Sequence, residues 1–156
     1  MNEHVALEVP ESSAYDSDFY AWSLEQARLL AERRFDLIDL PNIIEEIESL
    51  GRSEHSQLDE RIARLLEHLI KLQTSSAIDP RRGWKNTVSE QRRRIERLLR
   101  DNPSLRREVS YTVESEWLDA VKSAKGSLEV YEREFVPPDR SFTVAEIMDS
   151  SFFPGD

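Results

Sequence analysis

Leu40-Pro41-Asn42-Ile43-Ile44-Glu45-Glu46-Ile47-Glu48-Ser49-Leu50-Gly51-Arg52-Ser53-Glu54 decides the fold, because its apolar residues return every three or four positions. They keep doing so through Leu58, Ile62, Leu65, Leu66 and Leu69 to Leu72. That spacing puts them on one face of an α-helix. Pro41 is tolerated because the first helical turn has no partner for its missing N–H. Gly51 is the one interruption, costing about 1 kcal/mol against Ala in a helix interior. The stretch predicts a single long helix with a weak point. It ends at Thr74-Ser75-Ser76 and Asp79-Pro80, since a residue before proline is pushed out of the α region.

Upstream, Phe19, Trp22, Leu24, Ala27, Leu30 and Ala31 recur at helical spacing, with Ser17 or Asp18 placed to cap the first amides of a helix that ends near Arg34. Downstream, Trp84, Val88, Gln91, Ile95, Leu98 and Leu99 mark the apolar side of a third helix, from about Arg81 to Arg100. Asn102-Pro103 then starts a fourth, traced by Leu105, Val109, Val113, Trp117, Ala120, Val121 and Ala124 as far as Gly126. A further short helix is expected at Leu128 to Phe135, before Pro137-Pro138. Thr143-Val144-Ala145-Glu146 has the form of a capping box, and Phe142, Ile147, Met148, Phe152 and Phe153 form a small apolar plug. The expected architecture is all-α: an up-down four-helix bundle with a small C-terminal helical lid, one domain over residues 15–156 preceded by a flexible arm over 1–14.

At 156 residues such a domain can bury enough apolar surface to fold alone. With no cysteine, disulfides and thiolate chemistry are excluded. No basic leader opens the sequence and no run of eighteen apolar residues occurs, so a cytoplasmic, non-membrane protein is expected. The formal charge of −10 works against indiscriminate attraction to nucleic acid or anionic lipid. The charge is unevenly spread: residues 79–107 carry about +6 and the remainder about −16.

Taken together, Asp18-Phe19-Tyr20-Ala21-Trp22, the stretch from Leu40 to Glu54, and His68-Leu69-Ile70-Lys71 resemble the bacterial family catalogued as a domain of unknown function, number twenty-nine. Trp84, the arginine-rich stretch through Ile95, Pro103-Ser104-Leu105, Phe142-Thr143 and Phe153-Pro154 echo it further. Leu72 departs from the pattern, which usually places an aromatic after the lysine. The resemblance implies an α-helical bundle of the same extent and no assigned activity.

The polar residues of the long helix are the first candidates for a site: Glu45, Glu48, Arg52, Glu54, Arg61 and His68, with Glu46 and His55 among them. Helical di-metal carboxylate sites use Glu-x-x-His pairs, because positions i and i+3 present both ligands to one ion. Here Arg52 precedes His55 and Leu65 precedes His68 at that spacing, so neither a metal nor a cofactor is expected. His55 and Asp59 at i, i+4 are two ligands only. Glu54, Arg61 and His68 fall at heptad spacing beside the apolar stripe, with Glu54 nearest its centre. A carboxylate there needs a partner, such as an arginine of the third helix or a tyrosine of the first. Acid–base work by Glu54 with His68, or a metal or hydrolytic site centred on Glu48, Glu54 and His68, lacks a nucleophile, an oxyanion hole and a cofactor loop.

The second candidate is the arginine face of the third helix: Arg92, Arg93, Arg94 and Arg97, with Arg100. It is patterned either to track phosphates, as in a nucleic-acid accessory protein, or to clamp carboxylates of a partner protein or of a second copy. In so acidic a chain the carboxylate partner is the expectation. Trp22, Trp84 and Trp117 lie on predicted apolar faces and read as core. The sequence therefore predicts a non-enzymatic protein-interaction module, with a homodimer as one form of it.

Overall fold

The computed structural model describes residues 14–155. It is helical throughout, with no strand among the described residues. The expected arm over 1–14 lies outside them except for Ala14, which opens α1 (Ala14–Ser17). α2 spans Phe19–Ala31, α3 Leu40–Thr74, α4 Arg81–Asp101, α5 Val109–Ser127 and α6 Val144–Met148. Two short 3-10 helices, Pro103–Arg107 and Val130–Phe135, join them. No helix among the described residues is long and apolar enough to cross a membrane. The chain divides between Gly51 and Arg52 into two compact units.

In the first unit Asp18 caps α2, its Oδ1 accepting from the Ala21 amide at 2.9 Å. The helix ends when Arg33 enters the left-handed region at φ 58°. This lets the Arg34 amide reach back to Leu29 O at 2.9 Å and the Arg33 amide to Leu30 O at 3.1 Å, so the last carbonyls are satisfied. The buried face is Trp22, Gln26 and Leu29, rotated from the expected one: Phe19, Leu24 and Leu30 are exposed. Gln26 belongs inside because its Oε1 accepts the Asp39 amide at 2.7 Å, fixing the turn into α3. Asp39 in turn accepts from Trp22 Nε1 at 3.2 Å and Asn42 Nδ2 at 2.8 Å. Tyr15 stacks edge-on against Trp22 with centroids 4.9 Å apart.

The second unit holds the larger core. The C-terminal half of α3 buries Leu58, Ile62, Leu65, Leu66, Leu69, Ile70 and Leu72, α4 contributes Val88, Ile95, Leu98 and Leu99, and α5 contributes Val109, Val113, Trp117, Ala120 and Ala124. α5 starts later than its periodicity suggested. Pro103 opens a 3-10 turn, with Leu105 N bonded to Asn102 O and Glu108 N to Leu105 O, before α-helical bonding takes over at Thr112 N to Glu108 O. Thr143 and Glu146 form the expected capping box of α6. Phe142 and Ile147 are buried, and Met148, Phe152 and Phe153 pack against the core.

Candidate functional site

In the first unit Glu45 and Glu48 are exposed on α3, as is Arg52 at the start of the second unit. Glu46 accepts from the Tyr15 hydroxyl at 2.5 Å. That hydrogen bond, with burial and the charges of Glu46, Glu45 and Asp16, pushes the Tyr15 pKa up to about 12. Tyr20, the tyrosine of the expected first helix, is exposed.

In the second unit Glu54 is half-buried and meets neither an arginine nor a tyrosine. Its Oε2 accepts from Asn102 Nδ2 at 3.1 Å, and Asn102 also donates to Leu98 O at 3.3 Å. The asparagine at the end of α4 reaches back to α3 instead of capping the next helix. Arg61 makes one long bond, from Nη2 to Gln57 Oε1 at 3.4 Å. His68 is buried, with Nδ1 2.9 Å from Arg64 O, so Nδ1 carries the proton and donates it to that carbonyl. Glu54 and His68 are fourteen residues apart on one unbroken helix, roughly 21 Å of rise, and share no proton. The same helical arithmetic excludes the pairing from the sequence.

His68 instead belongs to a buried polar cluster that the heptad reading missed. Lys71 is buried, donates from Nζ to Glu67 Oε1 at 2.7 Å, and lies 5.6 Å from the centre of the Trp84 ring. Burial works against the Glu67 carboxylate, but the hydrogen bond and charge of Lys71 outweigh it and hold the pKa below the usual carboxylate range. Burial lowers the His68 pKa, with the Arg64 carbonyl working the other way. The signal for this cluster was the i, i+4 spacing of Glu67 and Lys71 with Leu66, Leu69 and Ile70 around them.

The four arginines of α4 separate. Arg93 and Arg94 are exposed and share Glu90, with Arg94 Nε 2.5 Å from Oε1. Arg97 is exposed and has no carboxylate partner among the described residues. Arg92, expected to face a partner, is 5% exposed. Its Nε donates to Ile147 O at 2.8 Å, Nη1 to Phe152 O at 2.8 Å and Nη2 to Glu146 O at 3.1 Å, and the guanidinium lies 5.4 Å from the Phe153 ring centre. This arginine holds the C-terminal segment and leaves the partner-facing set. Its position was readable: it stands at i+4 from Val88 and i−3 from Ile95, on the core side of α4. Arg81 acts alike, donating to Leu72 O at 2.9 Å, Ser75 O at 3.2 Å and Pro154 O at 2.9 Å.

Between α4 and the half of α3 that begins at Arg52 lies a cleft of about 480 Å³, walled by Glu54 and Arg61 on one side and by Arg93, Arg94, Arg97 and Asn102 on the other. It contains no nucleophile beside a base, and no group of three or more metal-ligating side chains occurs among the described residues. Ser75 donates to Glu132 Oε1 at 2.6 Å in a buried pair that ties the loop after α3 to the second 3-10 helix. What the cleft offers is charge and hydrogen-bond donors.

Neither a curated protein nor a solved structure matches the chain. The family model described as "Domain of unknown function DUF29" matches residues 14–153. That span takes in the cleft, the buried His68 cluster and the docked C-terminal segment, and the chain belongs to this family.

Proposed function

We propose that the protein is an interaction module that takes up an amphipathic helix of a partner protein on its first unit. The carrying observation is a set of apolar side chains left in water: Ile47 is 63% exposed, Leu50 69% and Tyr20 73%, with Leu40, Ile44, Phe19 and Leu24 also exposed. Leu40, Ile44 and Ile47 stand at i, i+4 and i+7 and make one stripe of α3. An amphipathic helix seated on such a stripe anchors at the same spacing. Apolar surface of this kind, rimmed by charge, is the mark of an association site.

Charge selects the partner. The described residues up to Gly51 include nine carboxylates and three arginines, and Glu45, Glu46 and Glu48 flank the stripe. A second copy docking through the same face would set two acidic surfaces together, whereas a helix with basic flanks is attracted. The up-down four-helix bundle with a C-terminal lid belongs to this proposal, supported by the short connections between successive helices.

The test is a fluorescence-anisotropy titration with a helical peptide carrying Leu and Ile at heptad positions and Lys at its flanks, beside the same peptide with Glu flanks. Binding of the Lys peptide at least about tenfold tighter, lost in Ile47→Glu/Leu50→Glu, is expected. Both positions are exposed, so the variant folds, as circular dichroism checks. Equal binding of the two peptides, an unaffected variant, or a dimer through this face in sedimentation refutes the reading.

A further inference from the structure

The charges lining the α3–α4 cleft do not balance. Glu90 is shared by Arg93 and Arg94, Glu54 is occupied by Asn102, and Asp101 is 3.3 Å from Arg100 Nε. Arg61 is left with its long bond to Gln57, and Arg97 with no partner among the described residues. These two guanidiniums come from different helices and line the same cleft. Arg61 and Arg94 also line an adjoining hollow of about 360 Å³, to which Arg64 and Glu60 contribute one charge of each sign. Four arginines (Arg61, Arg93, Arg94 and Arg97) line the cleft against three carboxylates (Glu54, Glu90 and Asp101), so positive charge is in excess on its two walls, and an anion between them lowers the free energy.

We propose that this cleft binds a compact oxyanion, a phosphate or small phosphomonoester, held by Arg61 and Arg97 on opposite walls. Planar guanidiniums present paired N–H donors that match phosphate oxygens. Arg61 and Arg97, neither paired with a carboxylate among the described residues, offer one guanidinium to each side of a phosphomonoester, which carries two negative charges above its second pKa of about 6 where a carboxylate carries only one. The cleft volume of about 480 Å³ falls within the range of small-ligand sites. A long polyanion is disfavoured. Glu54 and Asp101 stand among the lining residues, and the chain as a whole carries −10, so a strand running out of the cleft meets repulsion.

Isothermal titration with phenyl phosphate, inorganic phosphate and a twenty-nucleotide single-stranded RNA, at constant ionic strength, tests the assignment. Phenyl phosphate should bind saturably and raise the melting temperature, more tightly at pH 7.5 than at pH 5.5. Arg97→Gln and Arg61→Gln should each weaken it at least about tenfold, while Arg100→Gln, whose side chain pairs with Asp101, has little effect. Arg97 is exposed, so its replacement leaves folding intact, and circular dichroism verifies this for each variant. Absence of saturable binding, unchanged affinity in both glutamine variants, or RNA binding that outcompetes phenyl phosphate overturns the proposal.

Discussion

Replacing Arg92 tests whether one buried guanidinium holds the C-terminal segment in place. Its three hydrogen bonds run to the main-chain oxygens of Ile147, Phe152 and Glu146. A hydrogen bond from a charged group contributes about 1.5–3 kcal/mol net, but three on one side chain do not add, and carbonyls freed near a terminus regain water. Arg92→Ala should therefore cost about 3–4 kcal/mol, a large share of the roughly 5–15 kcal/mol that holds a domain together. That corresponds to a fall of roughly 10 °C in melting temperature for a chain of this length. Arg92→Lys keeps the charge but only part of the fork, so about 2 kcal/mol is expected. Urea unfolding followed by tryptophan fluorescence measures the global loss. Amide exchange at Ile147, Asp149 and Phe152, whose hydrogen bonds lie within the segment, measures its local opening. The control is Arg93→Ala, an exposed neighbour expected to stay within about 0.5 kcal/mol. If Arg92→Ala behaves like Arg93→Ala in both measurements, the guanidinium does not hold the segment and the reasoning fails.

Two glycines should respond in opposite directions. Gly155 has φ 81°, and a Cβ there would come within 2.7 Å of Arg81 Nη2 and 2.8 Å of Leu72 O, so Gly155→Ala should lower stability by about 1–3 kcal/mol in urea unfolding. Gly51 lies within α3 with nothing within 4 Å of an added Cβ, and Gly51→Ala should raise stability by about 0.5–1 kcal/mol; a loss there would mean that the break in propensity is used. His68 sets a pH dependence. Burial holds its folded pKa below the ordinary 6.5, so the unfolded chain takes up this proton first and stability falls as pH drops below about 6.5 toward the folded pKa. Melting curves between about pH 7.5 and 5.5 should show this slope in the native protein and a shallower one in His68→Gln; equal slopes would remove His68 as the cause.

Periodicity alone reached the long α3, the limits of α4, the capping box at Thr143 and the membership of Leu58 to Leu72 in the core, because each is a local rule acting over a few residues. The same rules misplaced the buried face of α2. A side-chain amide and an indole both engage Asp39, one at its backbone N–H and the other at its carboxylate, and hydrogen bonding there outweighs the burial of Phe19 or Leu24.

The candidate site divides along the same line. Which residues carry charge, and that Arg92 and Lys71 lie on core faces, follows from sequence position and the helical repeat. Tertiary structure decided which partners those residues reach: Arg92 the carbonyls around α6, Glu54 an asparagine at the end of α4, and Arg61 and Arg97 no carboxylate among the described residues. A helix sets the direction of a side chain through its 100° turn, but the partner that neutralises it arrives from another segment. Only the packed chain brings that segment within hydrogen-bonding distance.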